Sequence, residues 1–277
     1  MPLDQIPEER EMSFLDHLEE LRWHIIRSLI AIVVFTIAAF AAKSFVIDTV
    51  ILGPSRVDFW TYDKLCQLSE MVNSRAFCVD ELPFKIQVRK VSGQFMTHII
   101  VSFVAGLIVG FPYLFWEIWR FIKPGLHPKE RKASRGATFS VSFLFALGVL
   151  FGYYLISPIS VRFFATYEIS ASLQNEWDLS SYISTVTMIV LGSGLLFQLP
   201  VVVYFLTKAG LVSSSLMKKY RKHAIIVILI LGAFITPPDP FSQVLIALPL
   251  MTLYQLSIFI AKRIERKEAK AQRELMK

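Results

Sequence analysis

Long apolar blocks alternate with short polar segments along the whole chain. A bilayer core about 30 Å thick takes roughly 20 apolar residues in a helix. Six segments approach or meet that length: residues 25–45, 95–118, 137–157, 182–206, 224–235 and 241–261. The pattern predicts an all-α integral membrane protein, with six transmembrane helices in a single membrane domain over residues 1–277. The fifth block holds only about twelve apolar residues, so it either spans a locally thinned bilayer or forms a re-entrant hairpin with the sixth. The turn Thr236-Pro-Pro-Asp-Pro240 between them excludes one continuous helix. Either arrangement returns the chain to the same side. Pro112, Pro200 and Pro249 fall inside the second, fourth and sixth blocks, where they are expected to kink the helices and curve the bundle.

Ala39-Phe-Ala41 resembles a signal-peptidase site, but an acid-rich segment precedes the first block where a cleaved signal would have a short basic one. The first block is therefore expected to stay as a span.

Charge orients these spans. The polar segments after the second and fourth blocks, the 262–277 tail and the N-terminal segment together carry twenty Lys and Arg. The two intervening segments, 46–91 and 159–181, carry seven. The positive-inside rule then predicts that both termini are cytoplasmic. Within this layout residues 1–23 form a cytoplasmic amphipathic helix, residues 46–91 a long periplasmic cap with short helices, and residues 262–277 a basic cytoplasmic tail.

Composition agrees and excludes. The chain is 54% hydrophobic with 23 Phe, 5 Trp and 9 Tyr, which suits a lipid-facing surface with interfacial rings. Its net charge of +7 is spread over the gaps between blocks, not gathered on one nucleic-acid-like face. No GxxxxGK[ST] loop, HExxH pair or DDxxD run occurs, so nucleotide hydrolysis, a catalytic or metal site and a bound cofactor are not expected. His24 and His98 lie near span ends and His127 in a loop, with no catalytic spacing among them. Cys66 and Cys78 stand twelve positions apart in the 46–91 segment. In an oxidising compartment they could form a local disulfide; otherwise they are two loop thiols.

Two polar segments carry acids where orientation needs only bases. Ser13 to Arg22 reads as a helix, with Ser13 at the cap and Phe14, Leu18, Leu21 and Ile25 on one face. Its acids, Asp16, Glu19 and Glu20, suit a solvated face and the helix dipole. Beside an anionic leaflet they are better placed to meet a cation. The loop Phe121-Ile-Lys-Pro-Gly-Leu-His-Pro-Lys-Glu-Arg131 sets Glu130 inside a basic run.

These two segments, together with Phe197-Gln-Leu-Pro200 and Thr236-Pro-Pro-Asp-Pro-Phe-Ser-Gln243, resemble the TatC family, the multi-spanning receptor subunit of the twin-arginine protein translocase. The resemblance runs over nearly the whole chain in order. It implies a concave six-helix bundle in the bacterial cytoplasmic (inner) membrane, with both termini cytoplasmic. It also implies binding of twin-arginine signal peptides of folded proteins, recruitment of TatA/TatB-type single-span partners, a homo-oligomer within the complex, and transport driven by the proton motive force. Carried over residue by residue, it assigns signal-peptide recognition to Glu20 and Glu130, with Arg22 and Arg131 beside them and Phe121 lining the same patch, where the ring equally suits an interfacial anchor. Arginine presents a planar fork that a carboxylate accepts bidentately, so two separated acids suit two guanidiniums.

The chain departs from the family where acids are common in the fourth and sixth spans: Gln198 and Gln255 stand there. An amide carries no charge or proton but still bonds across helices. Gln198, Gln243 and Gln255 are therefore expected as intramembrane polar docking points, and Pro237, Pro238 and Asp239 as a periplasmic turn. A small-molecule secondary transporter is the alternative class. Only a faint internal echo supports it, Ile122-Lys-Pro-Gly-Leu126 against Thr207-Lys-Ala-Gly-Leu211.

Overall fold

The computed structural model describes residues 14–71, 73, 78–123, 136–170, 172–237 and 239–275. Helix α1, Phe14–Ala41, contains no Gly or Pro and runs unbroken from the amphipathic segment through the first apolar block. The expected surface helix and first span are therefore one rod. A π-helical stretch, Ser44–Ile51, and a short 3-10 turn, Gly53–Ser55, lead to α2, Trp60–Glu70. Strand β1, Phe84–Gln87, follows. Helix α3, Gly93–Ile122, returns across the bundle. Helix α4, Thr138–Thr166, contains one π-helical segment, Gly152–Ile156. Strand β2, Asn175–Asp178, precedes α5, Leu179–Lys208. The short α6, Ser214–Lys219, and α7, Arg221–Ile235, lead to α8, Pro240–Leu275.

The three prolines act differently. Pro112 and Pro249 lie inside helices that continue past them. Pro200 opens the second half of α5, after a turn at Phe197 and Gln198. The free position at the start of a helix is where a missing N–H costs least.

Five helices, α1, α3, α4, α5 and α8, are long and apolar enough to cross a bilayer. The expected fifth span, α7, has 15 residues, about 22 Å at 1.5 Å per residue, and falls short of the hydrocarbon core. The tail is not a loose extension: α8 carries the helix on through Leu275.

Close helix contacts fix the frame. At Gly106 on α3 an added Cβ would stand 2.6 Å from the backbone nitrogen of Thr36 on α1. At Gly148 on α4 it would stand 2.6 Å from the Ser193 carbonyl of α5. Backbone meets backbone at both crossings, as small residues permit in membrane helices. Trp119 of α3 meets Phe205 of α5 at 5.1 Å between ring centroids. Glu265 of α8 accepts from the Ser214 N–H and hydroxyl at 2.6 and 2.5 Å. The start of α1, the ends of α3, α5 and α8, and α6 therefore share one end of the bundle, the basic end.

The far end is closed by the 46–91 segment. The Tyr153 and Tyr182 hydroxyls donate to the Val50 and Ile51 carbonyls at 2.7 and 2.9 Å, satisfying the last turn of the π-helical stretch. The buried Tyr62 hydroxyl lies 2.9 Å from the carbonyls of both Pro54 and Pro158. Burial pushes the Tyr62 phenol well above its ordinary pKa, so it stays a donor. Strands β1 and β2 pair in parallel, Phe84 opposite Asn175 through Gln87 opposite Asp178, and join two loops far apart in sequence. Cys66 and Cys78 are joined in a disulfide at the end of α2. Among its described residues the 46–91 segment thus holds most of the π-helical stretch, the 3-10 turn, α2, β1 and that bond.

Candidate functional site

At the basic end α1 and α3 run antiparallel, so the early residues of α1 lie beside the last turns of α3. Glu20 is half-buried, its side chain 40% exposed. Its Oε1 lies 3.8 Å from His24 Nε2, one turn along α1. Its Oε2 is buried and has no hydrogen-bond partner among the described residues. His24 Nδ1 meets Glu117 Oε2 on α3, and the Tyr113 hydroxyl donates to Glu117 Oε1 at 2.8 Å. Phe121, one turn beyond Glu117, sets its ring edge-on to His24 at 6.1 Å. Beside this cluster lies an apolar cavity of about 160 Å³, reached by Leu21, His24, Leu114, Ile118 and Phe121.

Glu20 and Phe121, singled out from the sequence, therefore share one histidine. Arg22 is exposed and points elsewhere: it lies 4.0 Å from Glu19 and over the Trp23 ring at 5.6 Å. Glu130 and Arg131 lie outside the described residues. His24 and Glu117 were not site candidates on sequence. The available signal was Glu117 itself, an acid inside an apolar block, which by default marks function.

The intramembrane amides divide. Gln198 Nε2 donates to the Val141 and Gly194 carbonyls at 3.3 and 3.4 Å, while its Oε1 is buried with no partner among the described residues. Gln243 Nε2 reaches the Leu229 carbonyl at 3.5 Å. Gln255 faces a cavity of about 450 Å³ between α7 and α8, with Arg221, Tyr254 and Leu248 on its walls. At the far end Asp239 is buried and caps α8, accepting from the Ser242 N–H at 2.6 Å and the Ser160 hydroxyl at 3.3 Å. Pro237 lines a shallow cavity near it, and Pro238 lies outside the described residues.

Residues 16–249 match the family model described as Sec-independent protein translocase protein (TatC). The chain is 42% identical over 263 residues to the Sec-independent protein translocase protein TatC of Blattabacterium sp. subsp. Periplaneta americana, covering 94% of this chain and 99% of that one. It is 34% identical over 269 residues to the corresponding protein of Carboxydothermus hydrogenoformans, covering 96% and 99%. Among solved structures, the twin-arginine translocase receptor TatC in DDM aligns with a TM-score of 0.70 at 28% identity, over 88% of this chain and 99% of that one.

Proposed function

The chain belongs to the TatC family of Sec-independent protein translocase proteins, and on that premise we propose that its basic end is the cytoplasmic receptor surface for twin-arginine signal peptides. It is a helical membrane component of the twin-arginine translocase, working with other Tat subunits, and not an enzyme. In the proposed reading both termini are cytoplasmic, and α7 completes a sixth span across a thinned bilayer. Glu20 takes one guanidinium of the arginine pair and Glu130 the other, with Phe121 against the apolar part of the peptide. Arg131 shields Glu130 from stray cations, whereas Arg22 sits beside Glu19.

The observation that carries this reading is the half-buried Glu20 carboxylate, whose Oε2 is unsatisfied among the described residues. A carboxylate in that state gains most from a donor of matching shape. A charged hydrogen bond at such a site contributes about 1.5–3 kcal/mol.

TatA/TatB-type single-span partners dock against the intramembrane amides in the same reading. Gln198 supports this, because its acceptor oxygen has no partner among the described residues. Gln255 and Gln243 flank the α7–α8 pair, where a single apolar helix could lie. One protomer hardly encloses a path for a folded protein, so copies of the chain assemble with these partners, and the proton motive force drives transport.

The test is export in cells carrying Glu130→Arg. The expected outcome is loss of at least about tenfold in export of twin-arginine substrates, with membrane insertion unchanged. Export at the normal rate would reduce Glu130 to a loop charge.

A further inference from the structure

Glu117 is the buried acid of the five long helices among the described residues, 1% exposed and one turn before Phe121. A carboxylate taken out of water needs its lone pairs satisfied. Both oxygens are engaged, Oε2 by His24 Nδ1 across the helix interface and Oε1 by the Tyr113 hydroxyl. Arg27 of α1 and Arg120 of α3 act on the same cluster electrostatically. The other ring nitrogen of His24 faces Glu20, and the ring edge faces Phe121. One imidazole thus touches the proposed arginine acceptor, the proposed aromatic wall and a buried anchor on the neighbouring helix.

The close approach at Gly106 and the stack of Phe40 on His98, 3.9 Å between ring centroids, set α1 against α3 farther along, and the rotation of α1 at this end is set by contacts nearer to it. The His24–Glu117 bond is such a contact. Rotation matters because a bidentate arginine contact requires a carboxylate held in one plane, whereas lysine is a point charge that tolerates a turned one. We propose that His24 and Glu117 are positioning residues of the arginine-binding site, holding α1 in the rotation that presents the Glu20 carboxylate to a guanidinium beside Phe121. The proposal rests on the reading of the basic end as a twin-arginine receptor. It adds the device that makes that receptor prefer arginine to lysine.

The test measures binding of Arg-Arg and Lys-Lys signal peptides to the full chain in lipid nanodiscs. Glu117→Leu removes the anchor and should weaken Arg-Arg binding about tenfold while changing Lys-Lys binding less than about twofold, so the preference collapses. Glu117→Gln keeps an acceptor for His24 and should stay within about threefold of the parent for both peptides. The double exchange His24→Glu with Glu117→His should regain most of the preference lost in the leucine variant. If Glu117→Leu does not fold, the double variant His24→Leu with Glu117→Leu carries the test, since it removes both sides of the anchor and leaves no buried charge unpaired. An unchanged Arg-Arg preference in folded Glu117→Leu, or in the double leucine variant, overturns the positioning role alone. A parent chain with no Arg-Arg preference, or one whose preference survives Glu20→Gln, overturns the receptor reading and the positioning role with it.

Discussion

The two ends of this bundle spend their polar groups in opposite ways. At the far end, hydroxyls are directed at backbone carbonyls: Tyr153, Tyr182 and Tyr62 close the π-helical stretch and the turn after it, and Asp239 caps α8. Each group there is consumed by the fold, and a disulfide and a strand pair add to it. At the basic end, charged side chains are directed at one another, and Glu20 keeps a buried oxygen unpartnered among the described residues. Buried polar groups are ordinarily paired, so an unpaired carboxylate oxygen beside a charged cluster marks a place for a further donor. Changes at the far end should therefore register as stability, and changes at the basic end as recognition.

The contrast is broken most severely where the frame that serves both ends is opened. Gly106→Leu forces a side chain into the Thr36 backbone and should destabilise the chain by about 1–3 kcal/mol or prevent its folding. Thermal unfolding in detergent measures it, and a melt like the parent's would mean that α1 and α3 do not touch there. Tyr62→Phe sharpens the contrast from the far end. It strips the donor from the Pro54 and Pro158 carbonyls and should cost about 1–3 kcal/mol in the same melt, with export of twin-arginine substrates intact.

The smallest effect is one of pH. Hydrogen bonds from the Ser180 hydroxyl and from the Arg89 N–H hold the Asp178 carboxyl below its ordinary pKa. A depressed folded-state pKa contributes stability that is full above the ordinary aspartate range and fades as pH falls through the lowered value. The melting temperature should drop slightly more between pH 6 and about 3 in the parent than in Asp178→Asn. Equal slopes would show that the end of β2 gains nothing from the charge.

Much of this organisation is legible in the sequence, because period and length are local properties. The long apolar blocks became α1, α3, α4, α5 and α8, and the Pro-rich turn separated α7 from α8. Glu20 and Phe121 were legible as site candidates from their motifs. What escaped was long-range. Strand β1 has four residues and pairs with a partner about ninety positions away, too short a pattern to be read from alternation. His24 and Glu117 stand 93 positions apart, and neither reveals its partner until α1 and α3 are laid side by side.

The central claim is that the basic end discriminates an arginine pair through Glu20. Site-specific photo-crosslinking from position 20 to signal peptides bearing Arg-Arg or Lys-Lys tests it most directly. The account predicts strong labelling of the Arg-Arg peptide and labelling at least about tenfold weaker for Lys-Lys at equal concentration. Equal labelling of the two peptides would contradict it.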